Sequence, residues 1–219
     1  NEQFHQFQNY YELMIEWNSF MNLTAITEMD EVIMKHFVDS VSLIQAVPDL
    51  AKKDYSLIDI GTGAGFPGIP LKIVFPDLKI TLLDSLNKRI KFLNQVILDL
   101  SLNNISALHG RAEDLAQYRE HYDFCVSRAV ANLATLSEYC LPFVKKKGYF
   151  ISYKSEKITE EYEQAKKAIK ILGGNYKNQV EFYLPQSDIY RNLFIIEKID
   201  VTPKKYPRKA GMPSKEPII

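Results

Sequence analysis

The feature that most constrains this chain is a glycine-dense turn between an apolar run and a helical one. Leu57-Ile58-Asp59-Ile60 leads directly into Gly61-Thr62-Gly63-Ala64-Gly65-Phe66-Pro67-Gly68. Glycine tolerates positive φ and leaves backbone N–H groups open to a ligand with no Cβ in the way. In an open parallel sheet such a turn lies at the carboxyl ends of the strands, where ligands bind.

The rest of the chain fits that demand. Short apolar runs at Ser56–Ile60, Lys79–Leu83, Ile105–His109, Tyr122–Ser127 and Gly148–Tyr153 alternate with helical patterns at Leu86–Leu100, Leu133–Val144 and Thr159–Leu172. This alternation predicts an α/β fold, a mostly parallel sheet with helices on both faces. Val180–Leu184 and Leu193–Ile199 follow Gly173-Gly174 with no long helix between them. They read as an antiparallel pair closing one edge, which makes seven strands.

Three stretches are expected. Residues 1–50 form an N-terminal helical extension, 51–200 the α/β domain, and 201–219 a tail. In the extension Phe4, Phe7, Tyr10, Tyr11, Met14, Trp17, Phe20 and Met21 recur at helical spacing, as core packing requires. A second helix is expected from Thr27, with Asp30 and Glu31 in its first turn, to about Gln45 before Pro48. It would turn Val32, Ile33, Phe37, Val41 and Ile44 inward. The tail holds Pro203, Pro207, Pro213 and Pro217 among five basic residues and has little capacity for regular structure.

Composition narrows the function classes. With 27 basic and 27 acidic side chains the formal net charge is zero, so attraction to nucleic acid must come from a local patch. Two cysteines, Cys125 and Cys140, support no disulfide framework and point to a reducing, cytoplasmic setting. Cys125 lies inside an apolar strand and reads as a buried structural thiol. No apolar run is long enough to span a bilayer. The four histidines show no metal-ligand spacing. No exposed heptad or apolar edge suggests more than a monomer.

The loop alone leaves its ligand open. Gly63, Gly65 and Gly68 also fit G-x-G-x-x-G, the dinucleotide fingerprint of nicotinamide oxidoreductases. Its neighbours favour S-adenosylmethionine. Asp59 stands two residues before the first glycine. Pro67 and Pro70 bracket a helix start unlike one that cradles a pyrophosphate. Asp84, at the end of the next strand and followed by Ser85, can accept both ribose hydroxyls of a nucleoside. Gly110-Arg111-Ala112-Glu113-Asp114 follows the third strand, where it could hold an adenine or simply begin a helix.

At these residues the chain resembles the glucose-inhibited division protein B family. The blocks Asp59–Pro70 and Leu83–Arg89 carry the likeness. So do Asn22–Ile26 and His36–Ser40 upstream, and Ser127–Ala129 and Tyr206–Gly211 downstream. The resemblance implies a Rossmann-like class I methyltransferase. It would transfer a methyl group from S-adenosylmethionine, leaving S-adenosylhomocysteine, to N7 of one guanine in 16S ribosomal RNA of the small subunit. It also implies cofactor positions at Gly61, Phe66, Ala112, Glu113 and Arg128. The general methyltransferase pattern adds Gly63, Gly65 and Asp84.

Guanine N7 has a lone pair and no proton in the neutral base. No general base, nucleophile or metal is therefore expected, and alignment of the reacting atoms should dominate. Candidates for positioning the RNA are His36, Asp39, Arg111, Arg128, Lys154 and Arg191. Each cation reads equally as a solvated surface charge, and His36 with Asp39 equally as packing between the extension and the sheet. The basic tail could grip the RNA backbone as a disordered arm. A non-catalytic ribosome-assembly factor with the same fold is a further reading.

Overall fold

The computed structural model describes residues 2–156 and 158–219. Its centre is a seven-stranded sheet of order β3-β2-β1-β4-β5-β7-β6. The strands are β1 (Ser56–Ile60), β2 (Lys79–Asp84), β3 (Ile105–His109), β4 (Tyr122–Arg128), β5 (Val144–Lys154), β6 (Gly174–Tyr183) and β7 (Tyr190–Lys198). The first five are parallel. Strand β7 runs antiparallel to both β5 and β6. The expected edge pair is present, with β7 inserted between β5 and β6.

Side chains alternate across the central strands, and both faces are covered. Leu57, Ile80, Leu82, Phe124, Val126 and Ile151 enter one core, shared with the N-terminal helices, α4 (Gly68–Val74) and α5 (Asn87–Asp99). Ile58, Ile60, Leu83, Cys125, Phe150 and Phe194 enter the other, beneath α6 (Leu133–Cys140) and α7 (Thr159–Ile171). The sheet order reverses between β1 and β4, which opens a crevice at their carboxyl ends.

Helix α1 (Glu2–Met21) buries Tyr10, Met14 and Met21 as its spacing requires. Phe4 and Phe20, expected in the core, are each 66% exposed. At about 100° per residue they fall on opposite flanks of the buried stripe. The second helical stretch also departs from expectation. It starts at α2 (Met29–Val32) rather than Thr27, passes through a π-helical segment (Ile33–Val38) into α3 (Asp39–Val41), and ends in a 3-10 turn (Ser42–Gln45). The extra residue in a π turn shifts the phase of everything after it. Beyond it Val41 and Ile44 are half-buried while Asp39 and Ser40 turn inside, and Ile33, where the segment opens, is exposed.

Two strands extend beyond their apolar signal. Strand β5 begins at Val144, where Lys145, Lys146 and Lys147 are exposed, and β6 begins at Gly174 on the sheet edge, where polar side chains face outward.

The tail corrects the expectation of a disordered arm. It has one short helix, α8 (Met212–Lys215), and is ordered instead by side-chain bonds. Thr202 is fully buried and donates to the Leu172 carbonyl at 2.6 Å. Arg119 donates to the Thr202 and Tyr206 carbonyls. Arg208 pairs with the buried Glu138 at 2.7 Å.

Candidate functional site

The glycine loop takes the backbone its composition requires. Gly61, Gly63 and Gly65 have φ of +71°, +63° and +100°, a region open to few other residues. Asp59 closes the loop from behind. Its Oδ2 accepts from the Thr62 hydroxyl at 2.7 Å and from the Gly68 N–H at 2.9 Å. Its Oδ1 is buried without a partner. Burial pushes the Asp59 carboxyl up to about 6, against the opposing pull of those two bonds. Asp59 thus supports the loop and does not face a ligand space.

In front of the loop lies a cleft of about 300 Å³. It gathers Gly61, Asp84, Ser85, Ala112 and Glu113, all expected cofactor positions, together with Arg111. Asp84, the last residue of β2, is 3% exposed. Its Oδ2 accepts from Gly63 N–H at 3.0 Å and from Arg89 at 3.1 Å, and its Oδ1 from Leu86 N–H at 2.9 Å. A carboxylate has about four acceptor sites, so capacity for a ligand hydroxyl remains. The space over Gly63 is open: a Cβ there would meet nothing closer than the Gly61 carbonyl at 4.0 Å. These features fit a nucleoside-bearing cofactor.

Gly63, Gly65 and Phe66 do not line this cleft. The Phe66 ring is buried under the N-terminal helices, stacked on His36 at 4.5 Å between centroids and tilted against Tyr10 at 5.4 Å. Val130, Tyr139, Gly211 and Ser214 line the cleft and were not singled out from the sequence. Of these only Gly211 lay in a block that carried the family resemblance.

A second cleft of about 620 Å³ holds His36, Asp39, Arg128, Lys154 and Arg191. Arg111 stands apart, on the first cleft. Strand ends explain the gathering. Arg128 and Lys154 end β4 and β5, and Arg191 sits near the start of the antiparallel β7, so all three reach the same rim. The phase shift of the π turn brings Asp39 to them. Asp39 accepts from Arg128 at 2.9 Å and from Arg191 at 2.8 Å. Lys154 pairs with Glu161 at 2.6 Å. None of these three cations is a free surface charge: Arg128 and Arg191 are 15% exposed and Lys154 13%.

His36 is held between Thr24, whose Oγ1 lies 2.9 Å from Nε2, and Arg128, 3.3 Å from Nδ1. Burial first and the Arg128 charge second lower its pKa to about 4. The ring is therefore neutral near pH 7. Arg128 also stacks over Phe66, 5.1 Å from the ring centroid.

The segment after β4 separates the two clefts. Arg128, Ala129, Ala131 and Asn132 face the larger one and Val130 the smaller. A nucleoside-sized space thus adjoins a polar space that offers guanidinium, ammonium, imidazole and carboxylate groups. Cys125 and Cys140 are both free and buried, and neither lines these clefts. Among the described residues no cluster of His, Cys, Asp and Glu is placed to hold a metal, and no helix is long and apolar enough to cross a membrane.

The family model described as rRNA small subunit methyltransferase G matches residues 3–190. A protein of Lachnoclostridium phytofermentans named ribosomal RNA small subunit methyltransferase G is 59% identical over 99% of this chain and 90% of its own length. One of Acetivibrio thermocellus with the same name is 55% identical over 100% and 90%. Among solved structures, M. jannaschii TYW2 in complex with AdoMet aligns with a TM-score of 0.56 at 15% identity, over 74% of this chain and 77% of that one. That likeness is one of fold, the Rossmann-like α/β fold with a mostly parallel seven-stranded sheet.

Proposed function

The chain belongs to the rRNA small subunit methyltransferase G family, and from that premise we propose that it methylates N7 of a guanine in 16S ribosomal RNA. The methyl donor is S-adenosylmethionine. The observation that carries the reading is the adjacency of the two clefts, which lets one nucleoside lie against Asp84 and Glu113 and a second base lie beside Arg128 and His36.

The bound donor supplies an electrophilic methyl group, and N7 of a neutral guanine brings a lone pair with no proton to remove. The residues then have positioning work rather than acid–base work. Asp84 receives ribose hydroxyls, and the open space over Gly63 leaves the loop backbone approachable. Ser85, Ala112 and Glu113 border the base. Arg128 is fixed by Asp39 and Phe66, so its guanidinium approaches the acceptor purine in one orientation. A neutral His36 adds no positive charge where the product base gains one. Lys154 and Arg191 border the same space, and Arg111 stands at the mouth of the donor cleft, where an RNA phosphate can reach it.

Equilibrium binding of S-adenosylmethionine against NADH tests the cofactor, with binding of the first alone expected. Incubation with labelled donor and small subunits that lack the mark tests the acceptor. Label entering 16S RNA is expected. Binding of the particle with no label transfer would favour an assembly role instead.

A further inference from the structure

The tail is bound to the wall of the donor cleft by three separate contacts. The Gly211 N–H donates to Glu113 Oε1 at 3.0 Å. The Ser214 and Tyr139 hydroxyls are 2.8 Å apart. The Thr135 hydroxyl donates to the Pro213 carbonyl at 3.0 Å, and Pro213 is buried. Gly211, Ser214, Glu113 and Tyr139 all line the cleft. The tail is therefore one side of that space and not a neighbour of it.

A clasp holds it there. Glu138 is 1% exposed and takes up Arg208 through both carboxylate oxygens, Nε at 3.0 Å to Oε1 and Nη2 at 2.7 Å to Oε2. The Arg208 N–H donates to the same Oε1 at 2.7 Å. A bidentate pair on a buried carboxylate fixes the chain on either side of it. Gly211, with φ of +83°, then turns the backbone so that its N–H meets Glu113. Lys204, Lys205 and Lys209 remain exposed on the outer side.

We propose that residues 208–216 are part of the donor site: the Arg208–Glu138 clasp seats Gly211 and Ser214 against Glu113 and Tyr139, and this wall holds the purine nucleoside of the methyl donor. The proposal rests on the reading of the cleft as a S-adenosylmethionine site and assigns the tail a role in donor affinity that precedes any role with RNA. Glu113 is the link. With one carboxylate oxygen held by Gly211, its position at the base is set by the tail. A tail that swings away frees Glu113 and opens the cleft to water on that side.

The test is S-adenosylhomocysteine binding by calorimetry, without RNA, on the full chain and two variants. Ser214→Trp fills the cleft from an exposed position and leaves the clasp intact. Arg208→Ala opens the clasp. Each is expected to weaken binding by about tenfold or more. Hydrogen exchange at residues 209–216 of the unaltered chain is expected to slow when S-adenosylhomocysteine is added, which a merely structural tail would not show. Unchanged affinity in Ser214→Trp, together with exchange in the tail that ignores the ligand, overturns the proposal even if Arg208→Ala fails to fold. Absence of binding by the unaltered chain overturns instead the donor reading on which the proposal rests.

Discussion

The Asp59 carboxylate lies 2.9 Å from the Gly68 N–H and joins the two ends of the glycine loop. The contact leaves no room at residue 68. A Cβ there would come within 2.2 Å of Leu82 Cδ2 and 3.1 Å of Asp59 Oδ2. Gly68→Ala is therefore expected to destabilise the fold by about 1–3 kcal/mol through overpacking. Gly63→Ala meets open space and is strained only by its positive φ, at roughly 1 kcal/mol. Denaturant unfolding of both variants should give that order.

Asp84 holds the loop, since Gly63 N–H and Leu86 N–H both end on it, and the proposed donor site puts the ribose hydroxyls on the same carboxylate. Asp84→Asn keeps an acceptor and loses the charge. Its affinity for S-adenosylhomocysteine is expected to fall about tenfold or more, in line with the loss of one or two charge-assisted bonds. An unchanged dissociation constant removes Asp84 from the donor site.

Arg128 is paired in a nearly buried setting with Asp39. Arg128→Ala leaves Asp39 with Arg191 alone and should lower stability by about 3 kcal/mol, less if Arg191 reorients. Burial is the first cause of the low pKa of His36 and Arg128 the second, so the His36 pKa should rise from about 4 in the variant without returning fully to its free value. An NMR titration of the imidazole measures this directly. Methyl transfer should fall more than donor binding, because Arg128 faces the cleft proposed for the acceptor base.

Asp59 and His36 pull the pH dependence of stability in opposite directions. The folded Asp59 pKa, about 6, lies above its unfolded value near 4, so its protonated form favours the fold. That contribution is present at low pH and is lost as pH rises toward 6. The folded His36 pKa lies below its unfolded value near 6.5, so its contribution is present above that pH and is lost as pH falls to about 4. Asp59→Asn removes only the first. Its stability relative to the unaltered chain should increase from pH 4 to 6, by on the order of 2 kcal/mol, and then level off. Melting temperatures across that range check the sign.

The sheet was legible because its central strands are short apolar runs punctuated by glycine, and most bounds agree within a few residues. The misreadings have physical causes. A π turn carries no mark in composition, so the expected inward set included Val41 and Ile44 and left out Asp39 and Ser40. Strand β6 is an edge with polar side chains outward, so only its last, apolar part was visible. The tail looked disordered because its order comes from Arg208, Thr202 and Pro213 meeting distant partners, which no local pattern encodes. At the site, strand ends bring Asp84 to one cleft and Arg128 and Lys154 to the other. Their pairing with Arg89, Asp39 and Glu161 depended on tertiary distance. Phe66 reads as a loop residue in sequence, yet its ring belongs to the interface with the N-terminal helices.

The most direct measurement is the position of the methyl group on small-subunit RNA after incubation with the pure protein and labelled S-adenosylmethionine. The two adjoining clefts, with both thiols buried away from them, predict a single mark on N7 of one guanine, absent in the Asp84 and Arg128 variants. A mark on a ring carbon or on an exocyclic amine would contradict the account, because those positions lose a proton on methylation and N7 does not.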